Sequence, residues 1–372
     1  MKIVADGDIL DVTEAFEKLG ELTLLPGREI GPADVRDADA LIVRSITRVD
    51  RALVESSRLR FVATATSGRN HLDLPALESL GITVRDAAGC NANAVAEYVL
   101  AALAELLLAK DHDLQGRSVA IVGVGHVGRR LLHKLQPLGL DLRLCDPFVE
   151  ADYRQGLRQG QGRLPDLPEG LHFCSLDEAL EADVICLHVP CTRSGKHPTW
   201  QMLDASRLGR LRSGTVLISA GRGEVIDEAA LKRRMQRDAD LALVLDVFER
   251  EPEIDRDWCQ LAQIATPHIA GYSADAKAAA TRCVLEAFCE HFGLDMPAGP
   301  AQGAPSGLLT LTRLDASAEG RRQARAIIER FSPRAVSDDF CRSLAAVPAG
   351  TSLAKTFDAQ RRRLARRREF SA

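Results

Sequence analysis

Arg222, Glu251 and His268 are the side chains in this 372-residue chain whose types and settings suggest a reaction. Arg222 and Glu251 each follow an apolar run, in Ser219-Ala220-Gly221-Arg222-Gly223 and Asp246-Val247-Phe248-Glu249-Arg250-Glu251-Pro252, where a strand would give way to a loop, and His268 lies in Thr266-Pro267-His268-Ile269-Ala270-Gly271. A guanidinium in the first segment can grip a carboxylate through two parallel hydrogen bonds, which lysine cannot imitate. An imidazole in the third exchanges protons near neutral pH. A carboxylate bonded to it fixes its tautomer and favours its protonated form. Glu251 is expected to be that carboxylate rather than Glu249. Such a set suits proton exchange with a small organic acid.

A second group of residues could hold a dinucleotide. Gly123-Val124-Gly125-His126-Val127-Gly128 follows the apolar run Ser118-Val119-Ala120-Ile121-Val122 and precedes a helical pattern. In a strand-loop-helix unit this spacing aims backbone N–H groups and a helix N-terminus at a pyrophosphate. Gly123 makes the turn, Gly125 admits the phosphate and Gly128 lets helix and strand pack closely. Glycine clusters also serve ordinary turns, so the loop gains meaning from its company. Asp146 ends the next strand about 20 residues on, where a carboxylate can accept from adenosine ribose hydroxyls. That favours NAD over NADP, whose 2'-phosphate the carboxylate would repel, although Arg143 lies close by.

The elements that must position these residues read as an α/β protein. Ala40–Val43, Phe61–Thr64 and Ile82–Val84 are short apolar runs separated by polar, helix-like stretches. A second block runs through Ser118–Val122, Leu140–Cys145, Asp183–His188, Thr215–Ser219 and Leu241–Val247, apolar on both faces as covered parallel strands are. Asn91 and Asn93 can cap a helix whose Val95, Val99, Leu103 and Leu106 put one face in a core. Gln155–Gly170 reads as a surface loop. Leu294–Gly307, broken by proline and glycine, separates a small third unit with a strand at Leu308–Leu314 and a helix at Ala316–Phe331. The expected architecture is two Rossmann-like, doubly wound parallel-sheet domains with a cleft between them, plus a small α+β C-terminal domain. The expected boundaries are 1–93 with 270–290, 94–269, and 291–372.

Composition narrows the partners. Charged residues make up 27% and hydrophobic ones 46%, with a net charge of −4. No apolar run reaches the roughly 18 residues of a membrane span, and Met1-Lys2-Ile3-Val4-Ala5-Asp6 lacks the layout of a secretory signal. A cytoplasmic protein with small-molecule partners is expected, with neither membrane nor nucleic acid among them. The Arg361 to Arg368 run is read as a solvated or subunit-contacting face. The nine cysteines are scattered without a CxxC pair, so reduced thiols are expected and a metal site is not.

Taken together, the loop Gly123–Gly128, Asp146, His188-Val189-Pro190, Arg222-Gly223, Glu251-Pro252 and Pro267-His268 resemble the D-isomer-specific 2-hydroxyacid dehydrogenase family over roughly the first 290 residues. Val43-Arg44-Ser45, Ala63-Thr64-Ala65-Thr66, Gly89-Cys90-Asn91-Ala92, Leu144-Cys145-Asp146-Pro147 and His268-Ile269-Ala270-Gly271-Tyr272 are similar to a narrower branch of it. That branch oxidises 4-phospho-D-erythronate in pyridoxal phosphate synthesis. The resemblance implies an NAD-dependent hydride transfer with Arg222, Glu251 and His268 catalytic. It implies cofactor contacts from Gly123, Gly125, His126, Val127, Gly128, Asp146, Val189, Ala220, Gly221, Asp246 and Gly271. Substrate contacts would come from Ser45, Thr66 and Tyr272, and Arg44 nearby suits a phosphorylated hydroxy acid. A homodimer is implied as well, because Phe357-Asp358 and the arginines beyond resemble the end of the branch's dimerisation domain. Val189 and Gly221 depart from its pattern of threonine and cysteine. The triad selects a reaction and not a side chain, so 3-phosphoglycerate is a rival substrate, and an NAD-sensing corepressor on the same scaffold is a rival of another class.

Overall fold

The computed structural model describes residues 1–109, 113–159, 167–297, 309, 311–364 and 367–370. The chain forms two compact units, one of Met1–Ala92 and the segment beginning at Ser273, the other of Asn93–Tyr272 and the C-terminal segment. No helix among the described residues is long and apolar enough to cross a membrane.

In the first unit, β1 (Lys2–Asp6), β2 (Glu21–Leu25), β3 (Ala40–Val43), β4 (Phe61–Thr64) and β5 (Thr83–Asp86) form a parallel sheet in the order β2-β1-β3-β4-β5. The runs Ala-Leu-Ile-Val and Phe-Val-Ala-Thr are buried throughout because helices cover both faces. The edge strand β2 is half exposed, and its apolar signal is correspondingly weak. Helix Ala274–Phe292 belongs to this unit. Ser273 caps its start by accepting from the Ala276 N–H at 2.9 Å, Gly293 ends it at φ 65°, and Phe288 packs edge-on against Phe16 and Phe61 at 5.3 and 5.7 Å.

The second unit holds β6 (Ser118–Val122), β7 (Asp141–Cys145), β8 (Val184–Leu187), β9 (Val216–Ser219), β10 (Ala242–Leu245) and β11 (Ile264–Ala265), all parallel, in the order β11-β10-β9-β8-β6-β7. The chain moves outward from β6 to β7 and then returns to β8 on the other side of β6. Ligands of open α/β sheets bind at the carboxyl ends of the strands flanking such a reversal.

Several expectations are corrected here. Helix Ala92–Leu108 is buried on every side from Ala94 to Leu107, not along one face. The C-terminal segment supplies the missing cover: Phe331 stacks near Tyr98 at 6.3 Å, and Glu105 meets Ser332 and Arg334. The expected loop Gln155–Gly170 begins inside helix Pro147–Gln159, whose first turn is capped by the Asp146 carboxylate through Phe148 N–H and Val149 N–H at 3.2 and 3.1 Å. Residues 160–166 of that stretch lie outside the described residues.

The third unit is not α+β among the described residues. Its helices are Ala318–Arg330, Pro333–Ala345 and Ala354–Arg363. Where a strand was expected at Leu308–Leu314, the Thr312 and Arg313 amides donate to the Gln323 side chain at 3.0 and 3.1 Å instead of to a ladder; Leu308 and Thr310 lie outside the described residues. Nor do the described residues of this segment form a core of their own. Ala324, Ile327, Phe331 and Phe370 join the core built on helix Ala92–Leu108, while Phe340, Leu344, Leu353 and Phe357 join the one around Trp258. A disulfide ties Cys259 to Cys341 with Cα atoms 5.5 Å apart, correcting the expectation of reduced thiols throughout. The two cysteines are 82 residues apart, and no spacing rule marks them as partners.

Candidate active site

The carboxyl edge of the second sheet gathers the chemistry. Gly123 follows β6 with φ 93°, and a Cβ there would press on the His188 carbonyl after β8. Gly128 lies so close beneath the loop that a Cβ would collide with the Gly123 carbonyl oxygen, whereas open space surrounds the Gly125 Cα. Helix His126–Leu135 starts from Gly125 with no side-chain cap, so the amides of its first turn, including those of His126 and Val127, are left for an anion. Asp146 follows β7, and its Oδ2 accepts from the Val124 N–H at 2.9 Å, which brings the carboxylate onto the glycine loop. These residues fit a dinucleotide: an open cradle at Gly125, an uncapped helix and an adjacent acceptor. Burial pushes the His188 imidazole down to about 4, so it stands neutral beside the loop. Gly221 packs against the Val189 carbonyl oxygen, where a Cβ would sit 3.2 Å away, so a larger residue needs this backbone to give by a few tenths of an ångström.

Arg222, Glu251 and His268 follow β9, β10 and β11, three neighbouring strands. The His268 Nδ1 lies 2.7 Å from the Glu251 Oε2, and the other carboxylate oxygen accepts from the Phe248 N–H at 2.9 Å. Burial works to raise the Glu251 carboxyl, but His268, the Phe248 amide and the Arg361 guanidinium outweigh it and hold the group below the usual carboxylate range. Glu251 is therefore ionised at neutral pH. The carboxylate that meets the imidazole is thus that of Glu251; the Glu249 main-chain amide donates to Glu228 at 2.6 Å. Gly223 lets the Arg222 loop approach the Glu251 loop, since a Cβ there would collide with the Phe248 backbone. The Arg222 Nη1 donates to the Gly221 carbonyl at 2.8 Å, folding the side chain over its own loop.

His268 is held in the left-handed region, at φ 53°, a conformation a non-glycine residue adopts at a cost. Asp246 supplies the restraint. Its main-chain carbonyl accepts from the His268 N–H at 2.8 Å, and its buried carboxylate accepts from Thr266 Oγ1, Ile269 N–H and Ala270 N–H at 2.7, 2.8 and 2.8 Å. Burial pushes this carboxyl up to about 6 against the pull of those donors. Its side chain is thus turned into the loop that carries the imidazole. Ala220 and Gly271 sit in the same loops. Tyr272 ends the first segment of the unit, with the Arg361 guanidinium of its C-terminal segment 5.5 Å from the ring centroid.

The first unit carries the remaining candidates. Arg44 follows β3, and its Nε and Nη2 reach the two oxygens of the buried Asp6 at 2.7 and 3.0 Å, with Asp8 at 2.6 Å. Its charge is met by carboxylates of the β1 end. Ser45 lines a cavity of about 430 Å³ with Arg48, Asn70 and His71. The Thr66 hydroxyl bonds those of Thr64 and the Gly68 carbonyl at 2.8 and 3.2 Å.

Residues 104–270 match the family model described as D-isomer specific 2-hydroxyacid dehydrogenase, NAD binding domain. The chain is 48% identical to the erythronate-4-phosphate dehydrogenase of Chromohalobacter salexigens, over 79% of this chain and 73% of that protein. It is 41% identical to that of Pseudomonas fluorescens Pf-5, over 100% of this chain and 93% of that protein. The chain belongs to the erythronate-4-phosphate dehydrogenase family. Its fold is that of the Aquifex aeolicus D-lactate dehydrogenase complexed with NAD and lactic acid, at a TM-score of 0.60 and 23% identity, over 79% of this chain and 96% of that one. Membership makes it an NAD-dependent oxidoreductase.

In this member of the erythronate-4-phosphate dehydrogenase family, sequence reasoning passed over Glu228, which sits beside Glu249 and Glu251. Burial, with those two carboxylates adding repulsion, pushes Glu228 up to about 7. Between its ordinary 4.5 and about 7 the folded chain binds more protons here than the unfolded chain does, so this group's contribution to stability falls as pH rises through that window. Glu228→Gln keeps an acceptor for the Glu249 amide and removes the titration. The melting temperature of the variant, relative to the parent, should therefore rise by about 4 °C between pH 5 and pH 8. An unchanged difference would mean that Glu228 is already ionised at pH 5.

Proposed function

We propose that the protein oxidises 4-phospho-D-erythronate at C2 to 2-oxo-3-hydroxy-4-phosphobutanoate, with NAD as acceptor, in pyridoxal 5'-phosphate synthesis. The observation that carries the chemistry is the 2.7 Å contact of His268 with Glu251, on loops next to the one that bears Arg222. The names of the relatives at 48% and 41% identity support this substrate over 3-phosphoglycerate.

NAD, when bound, supplies the acceptor for the hydride on C2. Gly123, Gly125, Gly128 and the amides of His126 and Val127 would hold its pyrophosphate and Asp146 its adenosine ribose, with Val189, Ala220, Gly221 and Gly271 lining its remainder; Asp246, buried against Thr266, Ile269 and Ala270, holds the His268 loop in place of the cofactor contact that the resemblance implies. Glu251 engages the His268 Nδ1, so the proton of the C2 hydroxyl goes to Nε2. Arg222 binds the substrate carboxylate and stabilises negative charge developing on the C2 oxygen. Ser45, Thr66 and Tyr272 contact the substrate. Arg44 anchors the Ser45 loop to β1 through Asp6, a structural role in place of the direct phosphate contact that the residue type suggests. The protein works as a homodimer through its C-terminal segment; a monomer mass by sedimentation at micromolar concentration would end that part of the reading.

NADH formation by the purified protein with 4-phospho-D-erythronate, 3-phosphoglycerate and D-lactate is the direct test. We expect kcat/KM for the first to exceed the others by about 100-fold, a discrimination of roughly 3 kcal/mol. Preference for 3-phosphoglycerate would reassign the substrate, and NAD binding without turnover on any of the three would favour a sensor.

A further inference from the structure

The arginine-rich C-terminus is the motif that the reaction does not use, and part of it is not on the surface. Arg363 pairs with Asp339 at the end of the last helix, but Arg367 is only 8% exposed. Its Nη1 donates to the Ala270 carbonyl at 3.1 Å and its Nη2 to the Ala94 carbonyl at 3.0 Å. The guanidinium lies 3.9 Å from the Phe331 ring centroid, and the Glu97 carboxylate is 3.8 Å from Nη2. The neighbouring residues dock alongside it. Phe370 is buried, its amide donates to Glu97 at 2.9 Å, and Glu369 accepts from the Asn93 side chain at 2.7 Å. An arginine is expensive to bury, and this one is turned onto two peptide carbonyls, with Glu97 the nearest carboxylate and Glu369 and Asp246 also acting on its charge.

Ala270 is two residues beyond His268. Its N–H is already held by Asp246 at 2.8 Å, so Arg367 and Asp246 grip the same residue from its two peptide ends. The segment thus restrained includes the left-handed backbone of His268, which relaxes unless its surroundings hold it. Arg361 adds a second contact from the same segment, over the Tyr272 ring and close enough to Glu251 to stabilise its charge.

We propose that Arg367 is a positioning residue for the proton-transfer step: docked on Ala270, it holds the His268 loop so that the imidazole stays on Glu251 and its free edge meets the substrate hydroxyl. The C-terminal segment is thereby part of the catalytic apparatus. This inference rests on the reading of His268 as the proton-exchanging group.

The test uses full-length Arg367→Met, Arg367→Lys and the double variant Glu97→Gln/Arg367→Met, in which the buried Glu97 charge is not left without its arginine. NADH-binding sites are counted by fluorescence titration. Turnover per site is then measured with 4-phospho-D-erythronate, unlabelled and deuterated at C2. We expect the methionine variants to keep their NADH sites and their KM for NAD within about twofold while kcat per site falls about 10- to 100-fold, the scale of a small misplacement of a reacting group. The isotope effect on kcat should rise, and lysine, which keeps the charge and can reach one carbonyl, should fall between parent and methionine. Turnover per NADH site within about twofold of the parent in the double variant, with an unchanged isotope effect, would overturn the proposal. So would failure of both methionine variants to fold, which would make Arg367 a stability element only. His268→Asn in the same assay separates the two readings: if it remains active the underlying assignment fails, whereas an inactive His268→Asn beside active Arg367 variants sinks only the role of Arg367.

Discussion

Replacing His268 with asparagine should lower kcat about 1,000-fold, or roughly 4 kcal/mol of transition-state stabilisation, while NADH affinity stays within about twofold. The direction follows from the 2.7 Å contact between Nδ1 and Glu251, which leaves Nε2 as the ring atom that exchanges protons with the substrate. Asparagine occupies similar space and offers an amide, but it cannot take a proton at neutral pH. Its backbone also tolerates the left-handed conformation found at this position better than most residues do. The loop should therefore survive, and the loss should fall on chemistry. Stopped-flow turnover beside equilibrium NADH titration separates the two quantities. Equal losses in both would show that His268 shapes the cofactor site and leaves proton transfer to another group.

Arg222→Lys is expected to reduce kcat/KM about 100- to 1,000-fold, some 3 to 4 kcal/mol, although the charge is conserved. A guanidinium presents two parallel donors to a carboxylate, and an ammonium is a point charge on a flexible stem. Arg222 sits on a loop pressed against the Phe248 backbone at Gly223, so its main chain has little freedom to bring a shorter reach into register. Most of the loss should appear in kcat, because the charge on the C2 oxygen is largest in the transition state. Steady-state kinetics over a range of substrate concentration decides the matter. A lysine variant with more than about a tenth of the parent kcat/KM would reduce Arg222 to a general electrostatic contributor.

How much of this was legible in the chain depends on how local the signal is. The interior strands were readable because parallel strands buried on both faces must be continuous apolar runs: Ala40–Val43, Phe61–Thr64 and Ser118–Val122 are found with the bounds their composition suggests. Strands β1, β2 and β11 carry weaker signals: β2 is half exposed at an edge and β11 has only two residues. The glycine loop was readable because each glycine answers a steric demand within one strand-turn-helix unit. Glu251 was preferred over Glu249 in the chain, and the structure puts the Glu251 carboxylate on the imidazole, with the Phe248 amide holding its other oxygen.

What the chain by itself determined was the local half of the site: which loops end strands, which residues there can grip an anion or move a proton, and where the backbone must be glycine. Only the tertiary structure decided how those loops are held. Asp246 turns its carboxylate into the His268 loop and Arg44 is tied to Asp6 and Asp8. The helix Ala92–Leu108 is buried all round because the C-terminal segment covers it, and Arg367, one of a run of arginines in the sequence, is turned inward onto Ala94 and Ala270. The physical reason is range. Strand burial and glycine sterics act between neighbours in the chain, whereas the partners of Glu97 and Ala270 lie 270 and 97 residues away and are chosen by packing alone.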